Sequence, residues 1–147
     1  MTPRPPGTPF WRVGVDLTSV RELEQSVGGL GDRFLDRVFT PQEVDASRSS
    51  GAPLADSLAA RFAAKEATIK VLRPAETHPP WREIEVCRLA SGACELVLHG
   101  AAAALATAEG IEGWSLSLSH EDGMAIAVVL GWGWRPDDDE RLAADRT

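Results

Sequence analysis

The sequence predicts an α+β fold, a single domain in which an antiparallel sheet packs on one long helix. The stretch from Leu54 to Leu72 contains neither Gly nor Pro, and apolar and polar residues alternate near both ends of the chain. The predicted elements follow the order strand, helices, hairpin, helix, hairpin. A length of 147 residues suits one compact domain, and 44% apolar with 25% charged residues is usual for a folded globular protein.

The first predicted strand runs from Trp11 to Leu17 and follows a lead that contains four prolines. We therefore expect residues 1–10 to be a flexible lead, residues 11–134 to form the domain, and residues 135–147 to be a frayed acidic tail. The strand has the alternation of a half-buried strand, in which Asp16 points away from the apolar face. That apolar face consists of Trp11, Val13, Val15 and Leu17.

Four helices are predicted after this strand. Capping boxes at Ser19 and Thr40 each have a glutamate three residues later and predict two helix starts. The predicted helices end at Gly28-Gly29, span Asp32 to Phe39, span Pro41 to about Arg48, and span Leu54 to Leu72. In the longest helix Leu58, Phe62, Glu66 and Ile69 share one face, so Glu66 interrupts an apolar stripe.

The second half of the chain predicts two hairpins separated by a helix. The hairpins are 83–89 with 94–99 and 114–119 with 124–130, and an alanine-rich helix covers 100–109. The cysteines Cys87 and Cys94 lack the spacing of a metal or redox pair, so we interpret both as structural thiols.

The charge distribution excludes some classes of partner. Residues 12–73 carry nine basic and nine acidic side chains, whereas residues 74–147 carry five basic and thirteen acidic ones. An acidic chain is a poor ligand for a long polyanion, so we expect no nucleic-acid binding, while a small anion held by residues of the first half remains compatible. No signal peptide or membrane-spanning run is recognisable, which predicts a soluble cytoplasmic protein without membrane association.

Three residues are candidates for chemistry, each with a structural alternative. Glu66 on the apolar stripe needs a base or a metal to neutralise it, or it forms a surface ion pair with Lys70. Asp16 at the end of a strand provides a second carboxylate, or it caps the following helix. Together the two offer the oxygen ligands that Mg²⁺ prefers. His120 is a possible phosphate donor or acid–base group, or a plain turn residue.

Four ordered motifs of the chain bear on these alternatives. They are Gly14-Val15-Asp16-Leu17, Phe39-Thr40-Pro41-Gln42-Glu43, Arg61-Phe62-Ala63-Ala64-Lys65-Glu66-Ala67 with Lys70, and Ser117-Leu118-Ser119-His120. Together they resemble the motifs of the holo-acyl-carrier-protein synthase family, the small 4'-phosphopantetheinyl transferases, and the block from Arg61 to Ala67 is the most specific of them. The resemblance extends from about Val13 to Leu130.

This resemblance implies Mg²⁺-dependent transfer of 4'-phosphopantetheine from coenzyme A to a serine of an acyl or polyketide-type carrier protein, in fatty acid or polyketide biosynthesis. Adenosine 3',5'-bisphosphate is then the second product. The resemblance implies that Asp16 and Glu66 hold the metal and that Lys70 and His120 join them as catalytic residues. It also implies coenzyme A contacts from Arg61, Lys65, Lys70, Ser119 and His120. The serine proton leaves to metal-bound hydroxide or to Glu66, and the residues do not choose between the two.

The resemblance further implies a homotrimer with active sites between subunits and a basic surface for the carrier protein, formed by Arg21, Arg33 and Arg37. The chain departs from the family pattern at Glu22, where relatives usually have a basic residue, because Arg21 lies one position earlier. It departs again in the proline-rich loop from Arg73 to Pro80, where relatives usually have a glycine-containing loop. These departures keep one alternative open, a non-catalytic relative that binds coenzyme A or a carrier protein. A metal-dependent coenzyme A pyrophosphatase is a weaker alternative.

Overall fold

The first and last strands lie side by side in a computed structural model that describes residues 7–136. Strand β1 covers Gly7–Ser19, and helices α1 to α4 cover Val20–Leu30, Asp32–Val38, Pro41–Arg48 and Leu54–Leu72. A short 3-10 turn at Trp81–Glu83 leads into β2 at Ile84–Arg88 and β3 at Cys94–Leu98, and α5 covers Gly100–Ala108. Strands β4 at Ile111–Glu121 and β5 at Met124–Pro136 complete the described chain.

The strands form two antiparallel sheets. In the larger sheet β5 lies between β1 and β4, with Trp11 opposite Trp132 and Asp16 opposite Ala127, and β2 and β3 form a separate hairpin. Strand β1 begins at Gly7, so part of the predicted flexible lead is wrong, because residues 7–10 pair with residues 133–136. Residues 135 and 136 likewise belong to β5 rather than to a frayed tail. The rest of the predicted lead and tail lies outside the described residues.

Helix α4 packs against the inner face of the larger sheet. Its alanines Ala63, Ala64 and Ala67 are fully buried, and such small side chains let backbone approach closely. The side chain Cβ that an alanine would add at Gly14 would lie 2.0 Å from the Ala67 carbonyl oxygen, so only glycine allows β1 this close to α4. Arg12 fixes the same contact farther along, because its Nη1 donates to the Val71 carbonyl oxygen at 3.0 Å.

Strand β1 buries its polar face and exposes its apolar face, which is the opposite of what a half-buried strand normally does. Trp11 and Val13 are each 66% exposed and Leu17 is 61% exposed, whereas Arg12 and Gly14 are buried against α4. Strand β5 adds further exposed apolar side chains to the same side. We call this surface the outer sheet face: Trp11, Val13, Val15, Leu17, Met124, Ile126, Val128 and Trp132.

The described residues contain no helix that is long and apolar enough to cross a membrane. Both cysteines are free thiols. Burial, together with the hydrogen bond to the Glu85 carboxylate, raises the pKa of Cys87 to about 11, which makes this thiol a poor nucleophile. These properties agree with the structural role predicted for Cys87.

Candidate active site

Asp16 lies where β1 crosses α4. Gly14 contacts the helix at Ala67. Asp16, two residues later on the same face of the strand, contacts Lys70 of α4 and lies close enough to Glu66 to raise the pKa of that carboxyl. The contacts of Arg12 with Val71 and with Glu109, whose Oε2 lies 2.6 Å from Arg12 Nη2, hold the other end of this crossing. The two predicted metal ligands therefore come together through a strand and a helix that are far apart in sequence.

Both carboxylate oxygens of Asp16 accept hydrogen bonds. Lys70 Nζ lies 3.3 Å from Oδ1, and the Thr18 hydroxyl donates to Oδ2 at 3.1 Å. Lys70 Nζ also donates to the Val15 carbonyl oxygen at 2.6 Å. The predicted helix-surface pair between Glu66 and Lys70 does not form, since Lys70 crosses to the strand instead.

Glu66 is half-buried, and within residues 7–136 its carboxylate has no hydrogen-bonding or ion-pair partner. Burial raises the pKa of Glu66 above its ordinary value, and the negative charge of Asp16 raises it further, while Lys70 and His78 act in the opposite direction. Two carboxylates that oppose each other's ionisation are stabilised by a cation placed between them.

The two carboxylates fit a Mg²⁺ ion rather than a metal held by protein side chains alone. Among the described residues no group of three or more His, Cys, Asp or Glu side chains is arranged to hold a metal. Mg²⁺ is usually bound through one or two carboxylates, with phosphate oxygens and waters as its other ligands. Asp16 and Glu66 offer the two carboxylates that a Mg²⁺ site of this kind uses.

Lys65 and Arg61 occupy the interior instead of the surface. The Lys65 side chain is 0% exposed, and its ammonium donates to Glu43 Oε2 at 2.9 Å and to the carbonyl oxygens of Trp81 and Ile84. Burial lowers the pKa of Lys65, and the Glu43 charge opposes this effect. This geometry does not fit the predicted phosphate contact, because the three N–H groups of Lys65 already have acceptors inside the fold.

Arg61 is 4% exposed and donates to the Ser57 hydroxyl at 2.6 Å. Five residues separate it from Glu66, which places the two side chains about 140° apart around α4. Its Nε and Nη2 have no partner in the part of the chain that the structure describes. Within one chain Arg61 therefore lies away from the carboxylate pair, and its contact with coenzyme A stays a prediction.

Ser119 and His120 lie on opposite faces of β4. His120 is opposite Ala125, which in turn is opposite Thr18, so its side chain is on the α4 side of the sheet and two strands from Thr18, a backbone separation of about 10 Å. Its Nδ1 lies 3.7 Å from Asp56 Oδ1 at the start of α4. Ser119 is exposed on the other face, beside Ile126, so the sheet separates it from Asp16 and Glu66 within one chain.

Comparisons with known proteins identify the family of the chain. The model of the 4'-phosphopantetheinyl transferase superfamily matches residues 12–129. The holo-[acyl-carrier-protein] synthase of Herpetosiphon aurantiacus is 46% identical over 127 residues, which cover 82% of this chain and 97% of that protein. The chain belongs to the holo-[acyl-carrier-protein] synthase family of this superfamily.

Solved structures of relatives show the same fold. A complex of this enzyme with coenzyme A from Chronobacterium ammoniagenes has a TM-score of 0.75 and 29% identity, and covers 86% of this chain and 98% of that one. The Helicobacter pylori holo-[acyl-carrier-protein] synthase in complex with coenzyme A has a TM-score of 0.69 and 27% identity, with 82% and 99% covered. The predicted fold class, family and enzyme class are confirmed.

The three arginines predicted to contact the carrier protein are all exposed in this member of the family. Arg21 lies in the first turn of α1, and Arg33 and Arg37 are one turn apart on α2. Glu22 is the next residue after Arg21 and is also exposed, so a carboxylate accompanies the positive charge at this position.

Sequence reasoning missed a cluster of aromatic rings beside the site. The ring of His78 lies 4.5 Å from that of Trp81, which lies 5.1 Å from the ring of Phe62, one turn before Glu66. His78 Nδ1 donates to the Pro79 carbonyl oxygen at 2.7 Å. The proline-rich loop that departs from the family pattern thus folds back toward Glu66. No spacing in the sequence indicates this contact. Thr18 was also missed, but it could have been predicted, because it lies two residues after Asp16 on the same face of β1.

Proposed function

We propose that the chain transfers 4'-phosphopantetheine from coenzyme A to a carrier-protein serine, with Mg²⁺ held between Asp16 and Glu66. This proposal depends mainly on Glu66, which is half-buried, has no partner among residues 7–136, and has a pKa that burial and Asp16 raise. A fold would not keep this repulsion for stability, because removing either carboxylate would relieve it. A cation bound there turns the unfavourable pair into a binding site.

The chain's residues would act mainly by positioning and by charge. Asp16 and Glu66 would hold the metal, which would supply stabilisation of the charge that develops on the diphosphate of coenzyme A during phosphoryl transfer. Lys70 is half-exposed next to Asp16 and provides a mobile positive charge for the same diphosphate. His120, on the same side of the sheet, provides a donor at the rim of the site.

The outer sheet face supports a homotrimer as the working form. Soluble monomers rarely expose a contiguous apolar surface of this kind. We infer that a second and a third copy of the chain cover it. On this face β1 and β5 present apolar side chains in register, and the adjoining strand β4 presents Ser115, Ser117 and Ser119. In such an assembly Ser119 faces a neighbouring copy, which is where the predicted contact with coenzyme A from another subunit would arise.

The carrier protein would dock on the exposed arginines of α1 and α2. Carrier proteins are usually acidic around their serine, and opposite charges increase the rate of encounter. Docking by Arg21, Arg33 and Arg37 remains a prediction, as does the cytoplasmic location of the protein.

The decisive experiment is a mass measurement on apo carrier protein incubated with the chain, coenzyme A and Mg²⁺. Transfer adds one phosphopantetheine to the carrier, and chelation of the metal abolishes it. Asp16→Ala and Glu66→Ala should each abolish transfer, whereas Glu95→Ala, which removes an exposed carboxylate from the hairpin, should leave it unchanged. Near-normal turnover by Asp16→Ala or Glu66→Ala would refute the metal assignment.

The same measurement separates the catalytic proposal from the alternative of a non-catalytic binder. Unmodified carriers of several types, together with intact coenzyme A, would support the binder. Coenzyme A that is cleaved without modification of any carrier would support a pyrophosphatase.

Assembly is tested by substitution on the outer sheet face. Val15→Asp places a charge on that face and should convert the trimer to monomers in analytical ultracentrifugation, with loss of transfer. Leu89→Asp is the matched control, since Leu89 is a similarly exposed apolar residue on the separate hairpin. A Val15→Asp protein that remains trimeric would exclude this face as the interface.

A further inference from the structure

Lys70 makes a contact that neither its spacing nor its family motif predicts. It lies one turn after Glu66 on α4, the position from which a lysine usually pairs with a preceding glutamate. Its Nζ instead crosses to β1, where it donates to the Val15 carbonyl oxygen at 2.6 Å and approaches Asp16 Oδ1 at 3.3 Å. The ammonium is therefore the counter-ion of Asp16 rather than of Glu66.

This contact leaves the two carboxylates with different numbers of hydrogen-bond partners. Asp16 has hydrogen bonds at both oxygens, from Lys70 and from Thr18. Glu66 accepts none from the described residues. A cation held by the pair would thus meet a free ligand on the helix and, on the strand, a carboxylate that already has a counter-ion. Such a cation would compete with the Lys70 ammonium for Asp16, because two positive charges at one carboxylate repel each other.

We propose that Lys70 is a resident cation that the metal displaces from Asp16, and that the displaced ammonium then binds the diphosphate of coenzyme A. The inference rests on the metal site of the proposed function. It assigns Lys70 two successive partners, an aspartate oxygen in the metal-free enzyme and a phosphate oxygen in the loaded one. No covalent bond changes in this exchange.

The environment of Lys70 allows this exchange. Its side chain is 53% exposed, and ion pairs at this level of exposure contribute little stability, so the contact breaks readily. A lysine side chain has a long flexible stem, which lets the ammonium move between neighbouring acceptors. Lys65 provides the contrast in the same helix, since it is 0% exposed and held by three acceptors. Of these two lysines of α4, Lys70 is therefore the one whose side chain can move.

The exchange couples the metal to coenzyme A. Metal binding releases a cation for the diphosphate, and diphosphate binding removes the cation that competes for Asp16. Each ligand should therefore strengthen binding of the other by the same factor, as linkage requires. Removal of the Lys70 charge should reduce this factor.

The test measures Mn²⁺ binding to the assembled protein by electron paramagnetic resonance, with and without coenzyme A and without any carrier. Lys70→Met should bind Mn²⁺ alone about two- to five-fold more tightly than the unchanged protein, the range expected for loss of an exposed ion pair. Coenzyme A should tighten Mn²⁺ binding less in this variant than in the unchanged protein. Arg82→Met removes an exposed positive charge outside the site and serves as the control for net charge.

Each outcome bears on the proposal. Unchanged or weaker binding of Mn²⁺ alone by Lys70→Met would overturn it, because Lys70 would then position Asp16 or be a bystander. Tighter binding with undiminished coupling to coenzyme A would overturn the second half of the exchange. If Arg82→Met gives the same gain as Lys70→Met, general charge accounts for the effect and the proposal is wrong. If the unchanged protein binds no more Mn²⁺ than Asp16→Ala does, the metal site itself fails and the inference falls with it.

Discussion

Replacement of Lys65 by methionine should destabilise the chain strongly although it removes no predicted catalytic group. Glu43 is 1% exposed, and its carboxylate accepts hydrogen bonds from the Thr40 and Val86 amides in addition to Lys65. Methionine fills similar space in the core but leaves this carboxylate without its counter-charge. The ion pair joins α3, α4 and β2, so its loss affects the contact of three elements.

The size of the effect follows from the burial of both partners. Removing one partner of a buried ion pair costs about 3–5 kcal/mol. At about 2.1 cal/mol/K per residue, the unfolding entropy of the chain is about 0.3 kcal/mol/K, so each kcal/mol lowers Tm by about 3 °C. Lys65→Met should therefore lower Tm by about 10–16 °C.

The assay is thermal and urea unfolding of Lys65→Met, Glu43→Gln and the double variant. Because the double variant removes both charges, it should be more stable than Lys65→Met alone. A loss of less than about 1 kcal/mol in the free energy of unfolding of Lys65→Met would refute a stabilising role for the buried ion pair. Strict additivity of the two single changes would also refute it, since coupled residues do not add.

Three further predictions concern the backbone and the carboxylate pair. Gly14→Ala should lower the free energy of unfolding by about 1–3 kcal/mol and weaken Mn²⁺ binding, because its Cβ would meet the Ala67 carbonyl oxygen at 2.0 Å. Gly28→Ala is the control, since nothing lies within 4 Å of a Cβ at Gly28, and it should be neutral or stabilising in urea unfolding. Arg73→Gly should stabilise by up to about 1 kcal/mol in the same assay, because Arg73 ends α4 at φ 54°, and a loss of stability would contradict this. Glu66→Gln should raise metal-free Tm at neutral pH while it abolishes transfer. The folded chain raises the pKa of Glu66 above the ordinary 4.5, so ionisation of Glu66 lowers the stability of the fold as pH rises through the folded pKa. In a pH series the gain in Tm from Glu66→Gln should therefore vanish below about pH 4.5. A gain in Tm that does not depend on pH would refute ionisation of Glu66 as its cause.

Local signals in the sequence were sufficient for most elements of the fold. The capping box at Thr40 and Glu43 is formed as predicted, and the helix without Gly or Pro extends from Leu54 to Leu72 as expected. These signals act within a few residues, so they survive in any tertiary context. The longer first strand was missed because Gly7 to Phe10 form it by pairing with the far end of the chain, and pairing across that distance leaves no local pattern.

The site was predictable in its residue types but not in its contacts. Asp16 and Glu66 are predicted because a carboxylate is unexpected on an apolar helix stripe and because the motifs resemble a known family. Lys65 was assigned to a phosphate because adjacent residues in a motif look equally available. Burial separates them, since Lys65 is fully buried against Glu43 while Glu66 is half-buried and the charge of Asp16 raises its pKa. Which side of a helix faces the core depends on the packing of the whole chain.

The reversal of β1 connects the assembly of the protein with its site. Alternation shows that the two faces of a strand differ, but it does not show which one the same chain covers. Here the polar face of Arg12, Gly14 and Asp16 packs on α4, and the apolar face carries Trp11 and Val15 outward. Among the strands that the structure describes, β1 lies at an edge of its sheet and pairs with β5 alone. If neighbouring copies cover the outer sheet face, they press β1 onto α4 and thereby fix the separation between Asp16 and Glu66. Metal affinity and trimer stability should then fall together in variants of the outer sheet face, even though none of its side chains touches the metal.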